Sequence, residues 1–389
     1  MNNRLFLAVS SASLCTLALT LQAADPPTFE AALDPFLGEP QLTSTPLFAD
    51  SRFPNVVVAT DGTVLATWGV KQIRVRRSED GGETWGDEIT LDAPENAIHG
   101  GGVTVDETTG DIFLFVEAGH PPAPITVFRS QDHGLTWQVE QDVSIGADEN
   151  DAAPSMHMNE AGISLRHGDH AGRLIRPSRS YAGGNDRKFW PGHYTNAIYS
   201  DDHGKTWKPS SPFPIMGTGE AALVELADGT IYYNSRRHHS TDGLTPRMRY
   251  SAYSDDGGHS WRDVAVSELL PDGNQDTDYG LMGGLVRLPV QGRDILIFSN
   301  IESDQGRRGG TLWASFDGGK TWPVKRLVTD GNFAYSSLNA GRPDTASEGW
   351  IYLLYEARGG TLARLNLSWL LAGEPTGDGS LPDWLPSAP

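Results

Sequence analysis

The chain has 389 residues, with 44 Gly, 25 Pro and 11 Trp, and is 38% hydrophobic and 21% charged. That balance excludes both a disordered acidic tail and a membrane bundle, and points to a turn-dense all-β protein with aromatic packing posts. A net charge of −20 argues against a nucleic-acid partner, and leaves a small anionic ligand only if a local Arg cluster overrides the global field.

Residues 1–24 read as an export signal. Arg4 provides the positive start, Leu5 to Leu21 an apolar, Ser-containing stretch, and Ala23 or Ala24 a small-residue cleavage position. Secretion or a periplasmic location follows as the expectation. The only cysteine, Cys15, falls within this segment. The mature chain is therefore expected to carry no disulfide, no thiolate nucleophile and no Cys-based zinc site. No later run approaches the length of a membrane span.

Past residue 41, short apolar strands alternate with turns. A strand near 41–48 comes first, and then the tripeptide Arg52-Phe53-Pro54 and a DG turn at Asp61. The segment 66–82 closes as a tight hairpin around Gly69-Val70-Lys71-Gln72. After it comes the first copy of an octapeptide S-x-D-x-G-x-[TS]-W, starting at Ser78 and recurring from Ser130, Ser200, Ser254 and Ser315. The Asp carboxylate suits capture of backbone N–H groups in an Asx-type turn. The Gly suits a left-handed backbone, and the Trp buries a ring beneath the turn. One carboxylate per repeat is a turn residue rather than a calcium cage. The mean spacing of about 59 residues fits one four-stranded blade, so the mature chain holds roughly six.

The reading is an all-β, six-bladed β-propeller over residues 25–373. Five blades carry the turn motif, and the sixth is built from runs near 333–338, 350–356 and 361–369 with the strand at 41–48 closing the ring. Residues 374–389 read as a short tail. Propellers gather ligands where loops from several blades meet, so the polar candidates are Arg52, Glu220, Arg236, Arg307 or Arg308, Tyr335 and Glu356. Singly, each Arg or Tyr here is an ordinary surface or core residue.

Together the octapeptides, which match the Asp box (BNR repeat), and the segments around them resemble the bacterial exo-sialidases over nearly all of residues 45–370. RFP at Arg52 is similar to the first-Arg motif, and GISLRHGDHAGRLIRPS (162–178) to the third-blade strand pair. GEAALVELADGTIYYNSR (219–236) resembles the segment with the catalytic Glu and second Arg. SNIESDQGRRGG is similar to the third-Arg segment, FAYSSL to the nucleophile strand, and IYLLYE to the segment whose Glu holds the first Arg.

The resemblance implies a Tyr335 nucleophile with Glu220 as its base. Arg52, Arg236 and Arg307 (with Arg308 as the alternative) grip a substrate carboxylate, and Glu356 orients Arg52. A neutral phenol suits attack beside a carboxylate better than another carboxylate does, and planar guanidinium groups suit a carboxylate.

One part departs from the pattern. The family's general-acid Asp belongs between the first inner strand and the first box, and residues 66–79 contain no Asp. His99, in NAIHGGG, is the leading substitute, and His157, Glu160 and Asp50 are others. No cofactor or metal is expected: His238 and His239 are adjacent, so on a strand they face opposite ways. The expected function is release of a terminal sialic or related nonulosonic acid from a sialylated or other acidic glycan. A sialic-acid-binding propeller without turnover, or a polysaccharide lyase on the same scaffold, are the alternatives. The sequence does not address oligomeric state.

Overall fold

A computed structural model describes residues 29–239, 248–272 and 280–385. The expected export signal at 1–24 lies outside the described residues.

Six sheets, antiparallel but for the short strand Ser144–Ile145 that runs parallel to Thr206–Pro209, follow one another around a ring, making a six-bladed β-propeller. Blade one comprises Pro54–Val58, Val64–Trp68, Arg74–Ser78 and Ile89–Thr90. Blade two comprises Ile98–Val105, Ile112–Glu117, Ile125–Ser130 and Gln138–Val139. Blade three is the least regular. Two short inner strands, Pro154–Ser155 and Ile163–Ser164, both pair with Leu174–Ser180, and Tyr194–Ser200 and Thr206–Pro209 follow. Blade four runs from Ala221–Glu225 through Ile231–Ser235 and Met248–Ser254 to Arg262–Pro271. Blade five contains Leu285–Arg287, Leu296–Ile301, Arg308–Ser315 and Val324–Asn332. Blade six is Ser336–Ala340, Ile351–Glu356 and Gly360–Leu365, completed by the N-terminal strand Leu42–Phe48, which pairs Leu42 with Leu365. The ring thus closes by the predicted joining of the two ends of the chain.

The apolar runs explain this stacking. Inner strands buried on both faces read as continuous hydrophobic stretches rather than alternating ones. In PNVVV, Val56 and Val58 pack toward Tyr352 and Leu354 of blade six, while Val57 packs toward Val103 and Leu114 of blade two. Each such Val contributes roughly 1.5–3 kcal/mol on burial.

The five octapeptides form the expected turns. In every copy the Ser hydroxyl donates to the Asp and accepts from the N–H of the fixed Gly, as at Ser78, Asp80 and Gly82. All five fixed glycines have positive φ, between 80° and 88°. Trp207 and Trp322 are fully buried beneath their turns, whereas the Trp rings at 85, 137 and 261 are half-buried.

Two boundaries differ from expectation. The strand placed at 361–369 stops at Leu365, and a buried helical turn, Leu367–Leu371, caps blade five, with the Asn366 side chain accepting from the Trp369 N–H. Residues 374–385 are not a separate tail, because Glu374–Pro375 adds a strand to blade five. There Asp378 accepts from the Trp322 N–H, and Trp384 packs on Phe316.

Candidate active site

The topology collects the candidates at one end of the ring. Inner strands all start at this end, second strands finish there, and third strands start there. Arg52 and Phe53 precede the inner strand of blade one, Glu220 that of blade four and Tyr335 that of blade six. Arg236 follows a second strand, Glu356 ends one, and Arg307 precedes a third strand.

The backbone around Arg52 is unusual, because Ser51 (φ 68°) and Phe53 (φ 76°) both occupy the left-handed region. Such residues cost about 1–3 kcal/mol each and persist where the surroundings fix them. Here Glu356 does so, since its carboxylate accepts Arg52 Nε and Nη2, each at 3.1 Å, and the Phe53 N–H at 3.0 Å. Burial works against the Arg52 charge, but Glu356 and then Tyr335 outweigh it and raise its pKa.

The Arg52 guanidinium stands 5.0 Å from the Tyr335 ring centre, and that of Arg307 also stands at 5.0 Å. Arg52, Arg307 and Glu356 line one cleft. Arg308 instead turns outward, with Nε and Nη2 donating to the Asp330 carbonyl, so of the two it is Arg307 that lines the cleft with Arg52. Arg236 is buried and donates to Glu220, and its charge is supported by Glu220 and then by Tyr335.

Glu220 is also buried. Burial favours its neutral form, but Arg236 and Arg179 hold its pKa below the ordinary carboxylate value. It is not hydrogen-bonded to Tyr335 here, and its oxygens face Arg236 and, at 3.8 Å, Arg179.

Arg179 was not anticipated. It is buried at the end of Leu174–Ser180, donating to the Tyr181 hydroxyl at 3.1 Å and meeting the Nδ1 atoms of His193 and His238. Its signal was an Arg closing a strand whose every other residue is buried. His238 and His239 follow their strand instead of lying in it, and both rings reach Trp190.

His99 is held inside the interface between blades one and two. It is fully buried, its Nδ1 accepts the Gly101 N–H at 3.1 Å, and so its Nε2 donates to Thr67 Oγ1 at 2.6 Å. Burial lowers its pKa to about 3. The three glycines after it exist for another reason. The segment 156–159 of blade three crosses Gly100 and Gly101 so closely that a Cβ at Gly101 would lie 1.6 Å from the Asn159 carbonyl oxygen, and one at Gly100 2.7 Å from His157 Cα, while one at Gly102 would lie 2.5 Å from the Phe115 carbonyl oxygen.

Asp50 is exposed and paired with Arg74 at 2.6 Å. Glu160 sits in the channel between blades one, three and six, accepting from Asn55, Ser337 and the Ala161 N–H, and burial raises its pKa to about 8. His157 does lie at the mouth, edge-on to Phe53 with ring centres 5.6 Å apart.

A second cavity opens at the opposite end of the channel, where Glu107 joins Arg166 and Arg342. Arg166 and Arg342 both pair with that carboxylate and hold its pKa at about 2 against burial. Among the described residues no group of three or more His, Cys, Asp or Glu is arranged to hold a metal ion.

A profile of the BNR repeat-like domain matches residues 67–344. A sialidase of Micromonospora viridifaciens is 32% identical over 376 residues, covering 86% of this chain and 55% of the relative. A sialidase of Bacteroides fragilis is 26% identical, covering 79% and 60%. The chain thus spans little more than half the length of these curated relatives. Among solved structures, the Hadza microbial sialidase Hz136 superposes with a TM-score of 0.63 at 24% identity, covering 82% of this chain and 66% of that one. The Ruminococcus gnavus intramolecular trans-sialidase in complex with oseltamivir carboxylate gives 0.62 at 18% identity, covering 84% and 98%. These structural likenesses speak to the fold.

Proposed function

Since the chain belongs to the BNR-repeat family, we propose that it is an exported, exo-acting glycoside hydrolase that releases a terminal sialic or related nonulosonic acid. The observation that carries this reading is the convergence of Arg52 and Arg307 on the two sides of Tyr335, with Glu356 fixing Arg52 and Arg236 beside them. The named activity of the curated relatives supports it.

The guanidinium groups would take the substrate carboxylate in charge-assisted hydrogen bonds. As Arg236 turns to that carboxylate, Glu220 is released to accept the phenolic proton of Tyr335. The phenolate then attacks the anomeric carbon without the like-charge repulsion a carboxylate would meet. A free Tyr titrates near pH ~10, so the Arg cluster and Glu220 are both needed to make it a nucleophile at neutral pH.

The binding-only alternative draws on the Glu220–Arg236 contact, which holds Glu220 on Arg236 rather than on Tyr335. Incubation of the mature chain with a 4-methylumbelliferyl sialoside decides between the two. Release by the wild type, and its loss in Tyr335→Phe with retained ligand binding, is the expected result. No release by the wild type from any nine-carbon acidic glycoside would reject the hydrolase reading.

A further inference from the structure

A retaining hydrolase must protonate its leaving oxygen, and none of Arg52, Arg236, Arg307, Tyr335 or Glu220 is placed to do so. Resting on the hydrolase reading above, the geometry points to His157, backed by Glu117, as the acid/base residue of this pocket.

Both residues come to the mouth by the same topological rule as the others. Glu117 ends the second strand of blade two, and His157 lies just after the first inner strand of blade three. His157 is 4% exposed, like Tyr335 at 4% and Glu220 at 3%. Met158 beside it has φ 61°, in the left-handed region like Ser51 and Phe53. The imidazole packs edge-on to Phe53, the ring that also carries the Arg52 guanidinium at 4.8 Å. His120 covers its outer side, with ring centres 4.5 Å apart.

Two buried atoms lack partners here. His157 Nδ1 and Glu117 Oε2 face each other at 3.7 Å, and neither makes a hydrogen bond. The other Glu117 oxygen accepts from Ser155 Oγ at 2.6 Å and the Met156 N–H at 3.1 Å. A buried donor and acceptor left facing each other, less than 1 Å from a bonding distance, call for a functional explanation.

The electrostatics say where the proton rests. Burial, then His120, Arg179, Arg52 and Arg236, holds His157 well below its ordinary pKa. Burial lifts Glu117 to about 7 against Ser155, Met156, Arg176 and Arg179. Near neutrality the imidazole is therefore neutral, and the raised carboxyl is able to carry the shared proton.

The pair then works as a relay with no imidazolium. Tyr335 Oη bonds to the anomeric carbon as the bond to the aglycone oxygen breaks. The bonding pair leaves with that oxygen, which takes the Nε2 proton of His157. Nδ1 takes the Glu117 proton, and Glu220 takes the phenolic one. In the second half, water attacks the anomeric carbon and gives a proton to Nε2, and Nδ1 returns its proton to Glu117. Tyr335 Oη departs and recovers its proton from Glu220. The sum is one water consumed and two hydroxyl compounds formed.

The test compares wild type, His157→Asn, Glu117→Gln and His120→Ala on two substrates. A 4-methylumbelliferyl sialoside has a leaving group that needs little protonation, and sialyl-lactose has one that needs it. General acids contribute about 10²–10⁴-fold, so His157→Asn should lose roughly 100-fold more on sialyl-lactose than on the umbelliferyl substrate. In the wild type kcat/KM should fall as pH rises through about 7, and Glu117→Gln should lack that limb. Should His157→Asn fail to fold, as read by its thermal midpoint, the Glu117→Gln pH profile carries the test alone.

Equal losses on both substrates, an unchanged pH limb in Glu117→Gln, or a selective loss appearing in His120→Ala would overturn the assignment while leaving the hydrolase reading intact. A wild type that cleaves neither substrate rejects the hydrolase reading, and this assignment with it.

Discussion

The outer rim and the central mouth of this propeller obey opposite rules. At the rim, each of five turns closes on itself: Asp80 collects the hydroxyls of Ser78 and Thr84 and the amides of Glu83 and Thr84 within one octapeptide. At the mouth, the key side chains are held by residues far away in the sequence. Arg52 is held by Glu356 across 304 residues, and Tyr335 is flanked by arginines from blades one and five. Rim chemistry is local and repeated, so losing one copy should be survivable. Mouth chemistry is assembled once, from most of the ring, so each loss should be severe for function.

The sharpest way to break that contrast is at Glu356. Changing Glu356→Gln removes the charge that holds the Arg52 fork and the Phe53 amide, and should cut kcat/KM on a sialoside by roughly 100-fold, a loss of about 3 kcal/mol. Steady-state kinetics of the purified variant check this; a change under about threefold would mean that Arg52 needs no such anchor.

A smaller effect is expected at the rim. Asp80→Ala should lower stability by roughly 1–2 kcal/mol, the net worth of one or two lost hydrogen bonds, and leave kcat/KM within about twofold. Denaturant unfolding reads the first and the sialoside assay the second.

The rim also makes a pH prediction. Burial raises the Asp80 pKa, but Thr84, Ser78 and Glu83 together donate to the ionised form and bring it to about 2 from an ordinary 3.8. The sign follows directly: the ionised carboxylate stabilises the fold above pH 4, and that contribution disappears as pH falls through 2. The difference in thermal midpoint between wild type and Asp80→Asn should therefore be largest near pH 5 and shrink toward pH 2. A difference independent of pH would assign the effect to packing.

The smallest effect belongs to His99. Its ring serves Thr67 and Gly101 inside the blade-one/blade-two interface. His99→Asn should therefore depress activity on good and poor leaving groups equally, through stability alone.

The same contrast explains what could be read from the sequence. Asx turns, the tight hairpin at Gly69–Gln72, the count of six blades and the closing strand all rest on local pattern or on spacing, and they stand in the structure. Arg52, Arg236, Arg307, Tyr335 and Glu356 could be named because motifs marked them, yet nothing local fixed which would meet. Where a motif had two readings, the long-range one won. NAIHGGG suggested a presented imidazole, but its first two glycines make room for the segment that carries His157. Arg179 and the Glu117–His157 pair were obscure for the same reason. Each becomes visible only when strands from adjacent blades are set side by side.

The central claim is that Arg52, Arg236 and Arg307 hold one carboxylate in front of Tyr335. A crystal structure of the chain soaked with a 2,3-unsaturated sialic acid tests it most directly. The account predicts the ligand carboxylate within about 3 Å of all three guanidinium groups, with the anomeric carbon facing Tyr335 Oη. A ligand seated elsewhere on the ring, or with its carboxylate away from those arginines, would contradict it.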